Sequence, residues 1–583
     1  MCGITGYIGR NNNAIKVVID GLEALEYRGY DSAGITYLKD NKLITIKEKG
    51  KISNLKENID FSITSNLAIG HTRWATHGEP NKINSHPHTQ GDFTIVHNGI
   101  IENYLELKDE LTKKGYQFKS STDTEVACGY IDMLYKKYKN ILKSLNEASK
   151  VFRGSYALGI ICNDDLNHLY ALRKTSPLII AINDNENFIA SDVPAILKYT
   201  NKYILLDDSE IAKISSTDIE IYNDKLDIIK KDILTFEGNY ESSIKDGYEH
   251  FMLKEIHEEP KVFKDTMESS LKDLNIDLSK YNKFHIVGCG SAYHAGLIGK
   301  YLFEKYLNKE VYAEVASEYR YKKVFYDKNT LVIFISQSGE TADTLACLRK
   351  AKEDNIDTLS IVNVVGSSIA RESKYVIYTK AGFEIAVATT KAYLSQVTVL
   401  SSLVLSLINK DLKNEIDNIP SLIEDLINID YKYLANKIYK DKNIFFIGRG
   451  IDYSIAMEGS LKLKEISYIN SVAYQAGELK HGTISLIEDG THVIAIATSK
   501  ELLEKTISNI KEVNARGAKT IIITNENIEN DIYNDLIKIP KVDEILQPVL
   551  TIIPLQLLAY EVAKLNECDI DKPRNLAKSV TVE

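Results

Sequence analysis

FHIVGCGSAYHAG, residues 284–296, sets the architecture of the second half of this chain: an apolar strand runs into a glycine turn and then a helix. IFFIGRGIDYSIA, residues 444–456, repeats the plan later in the chain. VIFISQS at 332–338 and VIAIATS at 493–499 form a second matching pair with nearly the same offset. Strand, tight turn and helix in alternation are typical of parallel βαβ units. The two similar offsets therefore predict a tandem duplication of two doubly wound α/β lobes.

The N-terminal part of the chain has a different pattern. Short alternating or apolar segments lie between turn residues, with helical stretches near residues 13–27 and 99–114. Strand-dense sequence with few helices predicts sheets faced by helices, an α+β layered domain. The expected order is an N-terminal domain, a linker, a first lobe, a second lobe and a C-terminal tail, over residues 2–235, 236–260, 261–420, 421–570 and 571–583.

Composition narrows the class of protein. A chain of 583 residues exceeds one hydrophobic core, and a net charge of −10 argues against a nucleic-acid-binding surface. Six cysteines without CxxC or Cys–His spacing indicate a reducing compartment and argue against a disulfide framework or a zinc site. GRNNN at 9–13 interrupts any signal peptide, and the apolar stretch at 398–408 is too short to span a bilayer. We expect a cytoplasmic protein that contacts no membrane.

The glycine turns argue against nucleotide cofactors. GCGSAY and GRGIDY resemble half of a dinucleotide fingerprint, but Tyr293 and Tyr453 stand where the third glycine is required. This excludes NAD and FAD, and the chain has no GxxxxGK[ST] loop for nucleoside triphosphates. We expect no cofactor and no metal.

SQSGET, residues 336–341, indicates an anion site. It follows an apolar strand and opens a helix, so hydroxyl and N–H groups converge where the helix dipole favours negative charge. An ordinary capping turn is the alternative, because Ser and Thr are common N-cap residues. The candidates for holding a phosphate are Ser336, Gln337, Ser338 and Thr341, with Ser291 at the equivalent place in the preceding unit.

AMEGSLKLKEISYI, residues 456–469, places Glu458, Lys462 and Glu465 on one helix face, at i, i+4 and i+7. A solvated salt-bridge ladder is one interpretation. The other is an acid–base pair, since a partly buried Glu465 beside Lys462 is suited to moving protons between adjacent carbons. His481, in the nearby loop GELKHGTIS, is a possible partner or an ordinary surface histidine.

The first residues suggest a nucleophile. If Met1 is removed, Cys2 carries a thiol and a free α-amine on one residue, as N-terminal nucleophiles do; a buried strand cysteine is the alternative. Arg73 is able to grip a carboxylate, and Asp123 an ammonium. Asn98 and Gly99 together offer two oxyanion donors. A thiol, two clamps and an oxyanion site describe hydrolysis of the side-chain amide of free glutamine.

Long motifs then resemble a known family. CGITGYIG, EYRGYDSAG, GHTRWATHG, VHNGIIEN and TDTEV resemble the glutaminase domain of the N-terminal-nucleophile amidotransferases. GCGSAY, SQSGET, KLKEISY, GELKHG and the terminal PRNLAKSVTVE resemble the two sugar-isomerase (SIS) lobes of the glutamine–fructose-6-phosphate aminotransferases. The resemblance runs from residue 2 to the last residue. It implies a layered αββα N-terminal-nucleophile domain followed by two tandem doubly wound parallel-sheet lobes.

The resemblance also implies roles for individual residues. In the glutaminase half, Cys2 matches the nucleophile, Asn98 and Gly99 the oxyanion hole, and Arg73 and Asp123 the glutamine clamps. Trp74 matches the residue that gates an internal ammonia passage. The candidate substrate-binding residues of this half also include Trp74, Thr76 and His77. In the isomerase half, Glu465 matches the base that moves the proton between C1 and C2, His481 the ring-opening residue and Lys462 a supporting acid. Lys578 in the tail matches the lysine that forms a Schiff base with the ketose. The residues matching the sugar-phosphate cradle are Ser291, Ser336, Gln337, Ser338 and Thr341.

The implied reaction joins glutamine and fructose 6-phosphate to give glutamate and glucosamine 6-phosphate, with ammonia passed internally in a homodimer, as the first step of amino-sugar synthesis. Ala386, Thr389 and Thr483 depart from the family pattern beside the sugar site. Purine and asparagine amidotransferases would need a phosphoribosyl-pyrophosphate loop or SGGxDS, which are absent. A non-enzymatic sugar-phosphate sensor would not need Cys2 or Lys578, and a deglycase usually lacks the glutaminase half.

Overall fold

A computed structural model describes residues 2–74, 78–236, 244–272 and 276–580 of the protein. The chain divides into two compact units. Unit 1 comprises Met1–Ile244 and Ala577–Glu583, and unit 2 comprises Lys245–Leu576.

Unit 1 is built on two antiparallel sheets. The first sheet has the strand order Leu234–Thr235, Lys202–Leu205, Ile179–Asn183, Glu186–Ala190, Gly3–Gly9, Leu67–Arg73, Ser32–Lys39, Lys42–Lys49. The second has the order Ile228–Ile229, Ile219–Tyr222, Ile211–Ile214, Asp165–Lys174, Gly154–Cys162, Phe93–Ile101, His88–Gln90. The N-terminal strand is fully buried and lies in the interior of the first sheet, which places Cys2 at the end of a central strand.

The two sheets pack face to face and helices cover their outer faces. Apolar residues of both sheets, such as Ile4 and Ile161, share one buried cluster. Helix Ala14–Ala24 packs on the first sheet, and Asp123–Tyr138 packs on the second. The other α-helices of this unit are Ile52–Lys56, Tyr104–Lys113 and Ile141–Val151. This arrangement confirms the predicted αββα layers.

One helix of unit 1 starts later than predicted. The sequence pattern predicts a helix from residue 99, but residues 99–101 finish the strand Phe93–Ile101 and the helix begins at Tyr104. The reason is the backbone of Gly99, whose φ of +116° is incompatible with a right-handed helix.

Unit 2 contains two five-stranded parallel sheets with the same strand order. The first runs Glu310–Val315, Lys283–Gly288, Thr330–Ser336, Asp357–Val362, Tyr375–Tyr378, and the second runs Asn470–Gln475, Asn443–Gly448, His492–Ile496, Lys519–Thr524, Asp535–Lys538. The matching order confirms two doubly wound lobes. Folds of this class bind ligands at the carboxyl ends of their strands. The α-helices of this unit are Phe251–His257, Glu259–Lys272, Ser291–Leu307, Ala316–Tyr319, Ala342–Glu353, Ser368–Glu372, Lys391–Leu405, Lys413–Ile427, Lys432–Ile438, Ile451–Ser467, Leu503–Asn514 and Gln547–Leu565.

Both lobes share a single hydrophobic cluster, which reaches from Met252 to Ile570. Met252 and Ile256, in the segment predicted to be a linker, are fully buried in that cluster. Helix Gln547–Leu565 is longer than the stretch at 398–408 and, over a window of membrane length, is apolar enough to cross a bilayer. Because 83 % of that window is buried inside the fold, the helix has the environment of a core helix.

Candidate active sites

Cys2 lies beside the strand that carries Arg73. Its Sγ accepts a hydrogen bond from the N–H of Trp74 at 3.2 Å and approaches the carbonyl oxygen of Trp74 at 3.5 Å. The pairing of strands Gly3–Gly9 and Leu67–Arg73 produces this contact across 72 residues of sequence. Burial raises the pKa of the Cys2 thiol, opposed in part by the positive chain terminus and the Trp74 N–H. The thiol therefore requires a base to become a nucleophile.

Asn98 joins Cys2 to a buried histidine. Its Nδ2 donates to the carbonyl oxygen of Cys2 at 3.0 Å, and its Oδ1 lies 3.1 Å from Nε2 of His71. Gly99 follows in a backbone conformation that a side chain rarely adopts, and a Cβ there would lie 2.0 Å from the Ser155 carbonyl oxygen. The amide and the adjacent N–H are therefore held in a fixed orientation, as an oxyanion site requires.

Arg73 and Asp123 are both buried and both fixed by backbone groups. Arg73 donates to the carbonyl oxygens of Gly78 and Glu79 at 3.1 and 3.4 Å. Asp123 begins a helix, and its Oδ2 accepts the N–H of Ile101 at 2.8 Å. Opposite charges thus lie at strand and helix ends of one unit, where they suit the carboxylate and the ammonium of a free amino acid.

A cluster of buried histidines lies beside Asn98. The rings of His71 and His86 are 4.0 Å apart, and His88 and His97 also contact His86. Burial lowers the pKa of His71 to about 3 and holds those of His86 and His88 well below the usual value. Thr124 Oγ1 lies 2.9 Å from Nδ1 of His97, so hydroxyl contacts fix the ring orientations. Because its pKa is so low, the His71 ring is neutral near pH 7 and holds the Asn98 amide through its Nε2.

Unit 2 contains a buried charge network on helix Ile451–Ser467. Lys462 Nζ lies 2.7 Å from Glu465 Oε2 and 3.3 Å from Glu458 Oε1. The side chains of Lys462 and Glu458 are each 1 % exposed, whereas that of Glu465 is 21 % exposed. Burial alone would raise the pKa of Glu458, but Lys462 and His294 keep it below its usual value. Neighbouring carboxylates likewise raise the pKa of Lys462 despite its burial.

The same network reaches the first lobe. Ser291 Oγ donates to Glu458 Oε1 at 2.8 Å and lies 3.2 Å from Lys462 Nζ. His294 Nδ1, on the same helix as Ser291, lies 2.7 Å from Glu458 Oε2. The two lobes therefore bring a serine, a lysine and a partly open carboxylate, Glu465, to one place.

The SQSGET turn lies where a strand of the first parallel sheet ends and a helix begins. It follows strand Thr330–Ser336 and precedes helix Ala342–Glu353, at the carboxyl edge of the first parallel sheet. Ser336 Oγ contacts Thr341 Oγ1 at 2.9 Å and accepts the N–H of Gly339 at 3.0 Å. The strand before Ser291 pairs directly with Thr330–Ser336, so both turns end at one edge. Gln337 and Ser338 are half-buried in the same turn.

In the second lobe, the equivalent turn holds a carboxylate of the chain itself. Asp452 is fully buried, and its Oδ2 accepts the N–H groups of Thr498 and Ser499 at 2.9 and 3.1 Å. The Thr498 hydroxyl donates to Oδ1. Thr498 and Ser499 are the counterparts of Gln337 and Ser338 in the repeat, and the counterpart of Asp452 in the first lobe is Ala292. The internal carboxylate therefore occupies the place that a ligand anion would take.

Some predicted site residues lie apart from these groups. His481 is exposed at the end of the turn Glu478–His481, and among the described residues it forms no hydrogen bond or ion pair with Glu465. Lys578 is half-buried and belongs to unit 1. Trp74 is half-buried and packs edge-on against Tyr30. Thr76 and His77 lie outside the described residues.

The sequence interpretation missed two residues that contact the candidate groups. Arg28 Nε donates to the carbonyl oxygen of Cys2 at 3.3 Å while its Nη1 pairs with Asp192 at 2.9 Å. His294 contacts Glu458, as described above. Arg28 lies within the motif EYRGYDSAG, and His294 immediately follows the motif GCGSAY. The sequence did not show their contacts with Cys2 and Glu458, because these partners lie far away along the chain.

Family models match both parts of the chain. The model of the SIS domain matches residues 277–406 and 437–565. The model of the glutamine amidotransferase domain matches residues 71–198, which includes Asn98 and Asp123 but not Cys2.

Curated relatives match over the full length. The chain is 49 % identical over 611 aligned positions to the glutamine–fructose-6-phosphate aminotransferase [isomerizing] of Clostridium tetani, with 100 % of each chain covered. It is 45 % identical to the enzyme of that name from Thermococcus kodakarensis, again with 100 % of each chain covered. Among solved structures, the C-terminal domain of glucosamine-fructose-6-phosphate aminotransferase from Francisella tularensis matches with a TM-score of 0.52 and 38 % identity, covering 57 % of this chain and 100 % of that chain.

Proposed function

We propose how the two units share the reaction in this chain, which belongs to the family of glutamine–fructose-6-phosphate aminotransferases (isomerizing). Unit 1 releases ammonia from glutamine, and unit 2 uses that ammonia to convert fructose 6-phosphate into glucosamine 6-phosphate. The observation that carries this assignment is the pairing of two chemistries in one chain. Cys2 sits beside an amide donor in unit 1, and in unit 2 the buried Lys462 pairs with the partly exposed Glu465.

In unit 1, the α-amine of Cys2, exposed once Met1 is removed, takes the thiol proton. The thiolate attacks the side-chain amide carbon of glutamine, and the amide nitrogen leaves as ammonia. Asn98 Nδ2 and the Gly99 N–H stabilise the oxyanion, while Arg73 and Asp123 hold the glutamine carboxylate and ammonium. Water then hydrolyses the thioester to glutamate and restores Cys2. Trp74, Thr76 and His77 complete the glutamine side of the site.

In unit 2, the hydroxyl turn binds the phosphate of the ketose. Its cradle comprises Ser291, Ser336, Gln337, Ser338 and Thr341. Lys578 forms an imine with C2 of the open-chain sugar, and ammonia displaces the lysine from that carbon. His481 assists ring opening. Glu465 then moves a proton from C1 to C2 while Lys462 remains protonated beside it, which gives the amino aldose.

Three further features complete the proposal. Ammonia passes inside the enzyme between the two reactions, because free ammonia would be protonated and lost in water. The enzyme is a cytoplasmic homodimer, and light scattering after gel filtration tests the dimer. The proposed domains are those predicted from the sequence, with a tail over 571–583 that carries Lys578, except that the predicted linker packs with unit 2 from Lys245 onward.

The test is a paired product assay on the full chain. Purified protein with glutamine and saturating fructose 6-phosphate is expected to form glutamate and glucosamine 6-phosphate in equal amounts. Glutamate without aminosugar would contradict the assignment of unit 2. Aminosugar formed from glutamine by a Cys2→Ala variant would contradict the assignment of unit 1.

A further inference from the structure

One buried carboxylate fixes the C-terminal tail to a helix at the start of unit 2. Asp571 accepts the N–H of Phe251 at 2.9 Å and that of Met252 at 3.0 Å, across about 320 residues of sequence. These N–H groups open helix Phe251–His257, whose own N-cap residue, His250, makes no side-chain capping bond. Lys245 Nζ lies 3.4 Å from the same carboxylate. The helix is thus capped by the tail and not by its neighbouring residues.

The backbone of Asp571 holds a third element. Its carbonyl oxygen accepts the N–H of Val387 at 3.0 Å. The two preceding N–H groups, of Ile385 and Ala386, donate to Oε1 of Glu255 at 2.5 and 3.1 Å. Three consecutive amides of this loop are therefore held by the tail and by the helix that the tail caps. Ala386 is one of the positions that depart from the family pattern beside the sugar.

The tail is fixed a second time at the end of the helix that carries the acid–base pair. Arg574 donates its N–H to the Tyr468 hydroxyl at 2.8 Å, and its guanidinium lies 4.1 Å from the centre of the Tyr468 ring. Tyr468 is the C-cap residue of helix Ile451–Ser467, in the left-handed conformation at φ +62°. Glu465 precedes it by three residues, about 4.5 Å along the helix axis.

We propose that Asp571 and Tyr468 are positioning residues, which fix the tail at two points so that Lys578 is presented to the ketose carbonyl. Three residues separate Arg574 from Lys578, and the four Cα–Cα steps between them span at most about 14 Å when extended. Because Tyr468 holds the backbone N–H of Arg574, this length limits how far the Cα of Lys578 can lie from that fixed point. Holding a reacting group in place accelerates a reaction by removing unproductive orientations. This inference rests on the Schiff-base role proposed for Lys578.

The choice of cap supports a positioning role. A Ser, Thr or Asp at position 250 would cap the helix locally and leave the tail free. Here the cap comes from Asp571, so forming the helix end and placing the tail are the same event. The loop at Val387 joins both through a backbone hydrogen bond, which links the tail to residues 385–387 of the first lobe.

Two variants test the proposal with one matched control. Tyr468→Phe removes only the hydroxyl that accepts the Arg574 N–H and keeps the ring under the guanidinium. Asp571→Asn removes the charge and one acceptor oxygen of the cap. Asp569→Asn is the control, because Asp569 is an exposed carboxylate two residues before Asp571, and asparagine keeps an oxygen that is able to accept the Lys572 N–H, which Asp569 accepts at 3.1 Å. Each is measured in the full-length enzyme alongside its thermal midpoint.

Three readouts separate positioning from general damage. The first is kcat and KM for fructose 6-phosphate at saturating glutamine, and the second is glutamine hydrolysis. The third is the rate of borohydride trapping with fructose 6-phosphate: the Lys578 amine adds to C2, water leaves, and borohydride reduces the resulting C=N bond to a stable secondary amine that mass spectrometry locates.

We expect both variants to lower kcat and the trapping rate about tenfold. KM for fructose 6-phosphate should change less than about twofold, because the residues of the phosphate cradle are untouched. Glutamine hydrolysis and the Asp569→Asn variant should match the wild type. A folded Tyr468→Phe enzyme with wild-type kcat and trapping would overturn the proposal, and so would a loss of all activities in proportion to the thermal midpoint. If the wild type itself yields no trapped Lys578, the proposed function of Lys578 fails instead.

Discussion

Lys462 Nζ lies 2.7 Å from Glu465 Oε2, one turn away on the same helix. The lysine is almost fully buried, whereas the carboxylate is partly open. The second carboxylate, Glu458, neutralises the lysine from the buried side. Glu465 is therefore the member of the network that a substrate is able to reach.

Lys462→Met should remove both aminosugar synthesis and much of the stability of unit 2. Without the lysine, Glu458 is a buried charge, and breaking such a pair costs about 3 kcal/mol or more. The folded-state pKa of Glu458 is below its ordinary value, so it stabilises the wild type above that ordinary value and the contribution is lost as pH falls through the folded pKa. In the variant that contribution should disappear.

Thermal unfolding and product formation at pH 7 check this expectation. Lys464→Met is the matched control, because Lys464 is exposed on the same helix. Equal losses of stability and of product formation in the two variants would contradict a specific role for Lys462.

Cys2→Ala and Lys578→Ala should block different steps, the first glutamine hydrolysis and the second aminosugar formation. The first removes the nucleophile, so both glutamate and aminosugar production from glutamine should fall by at least about 10³-fold. The second should abolish aminosugar and leave measurable glutamine hydrolysis. Glutamate and glucosamine 6-phosphate are quantified in the same reactions. Cys568→Ala serves as the control thiol, since Cys568 lies in the other unit.

Asn98→Ala should lower kcat for glutamine hydrolysis by about 10²–10³-fold with a smaller change in KM, because an oxyanion donor acts mainly on the transition state. The substitution also removes the contacts of Asn98 with His71 and with the Cys2 carbonyl oxygen. Steady-state kinetics with glutamine alone measures the effect. A rise in KM at constant kcat would assign Asn98 to substrate binding and not to the oxyanion site.

Asp452→Ala should destabilise the second lobe by about 2 kcal/mol or more, because three buried donors of Thr498 and Ser499 lose their acceptor. Asp452→Asn should cost less, since one oxygen remains. Calorimetric titration with fructose 6-phosphate should give one site per chain in the wild type, because the second turn is filled by Asp452. Two sites per chain in the wild type would contradict that interpretation.

Unit 1 should lose stability as pH falls below about 6.5. His71 has a folded pKa of about 3, so between those values the unfolded chain binds a proton that the folded chain does not. Each such histidine lowers the free energy of unfolding by about 1.4 kcal/mol per pH unit over that range. Burial also lowers the pKa values of His86 and His88, so both histidines contribute to the same pH dependence.

Unfolding midpoints between pH 7 and 5 test this dependence, and His88→Asn should flatten it. A midpoint that stays constant over this range would show that the rings take up protons without unfolding.

Much of the architecture follows from local patterns. The strand, turn and helix of 284–296 recur at 444–456, and both copies form parallel sheets of identical order. Apolar runs and glycine turns act over a few residues, so they are visible in the sequence. The helix start was predicted too early, because residues 99–101 pair with strand Gly154–Cys162 and Gly99 has a φ of +116°.

The candidate sites were visible only in part. Lys462 and Glu465 share a helix, so their spacing alone placed them together. Their contacts with Ser291 and His294 could not be foreseen, since those residues come from the other lobe. The same holds for Arg28 beside Cys2 and for Asp571 on the helix that begins at Phe251.

The amino-acid sequence by itself therefore specifies the layered and doubly wound folds, the duplication and the family, because these depend on periodicity and on contiguous motifs. Which carboxylate is buried, which turn is already filled by Asp452, and what holds the tail depend on partners that lie 46 to 320 residues away. Only folding brings those partners within hydrogen-bonding distance. Burial then removes water from the charged groups and shifts their pKa values, which decides their protonation states.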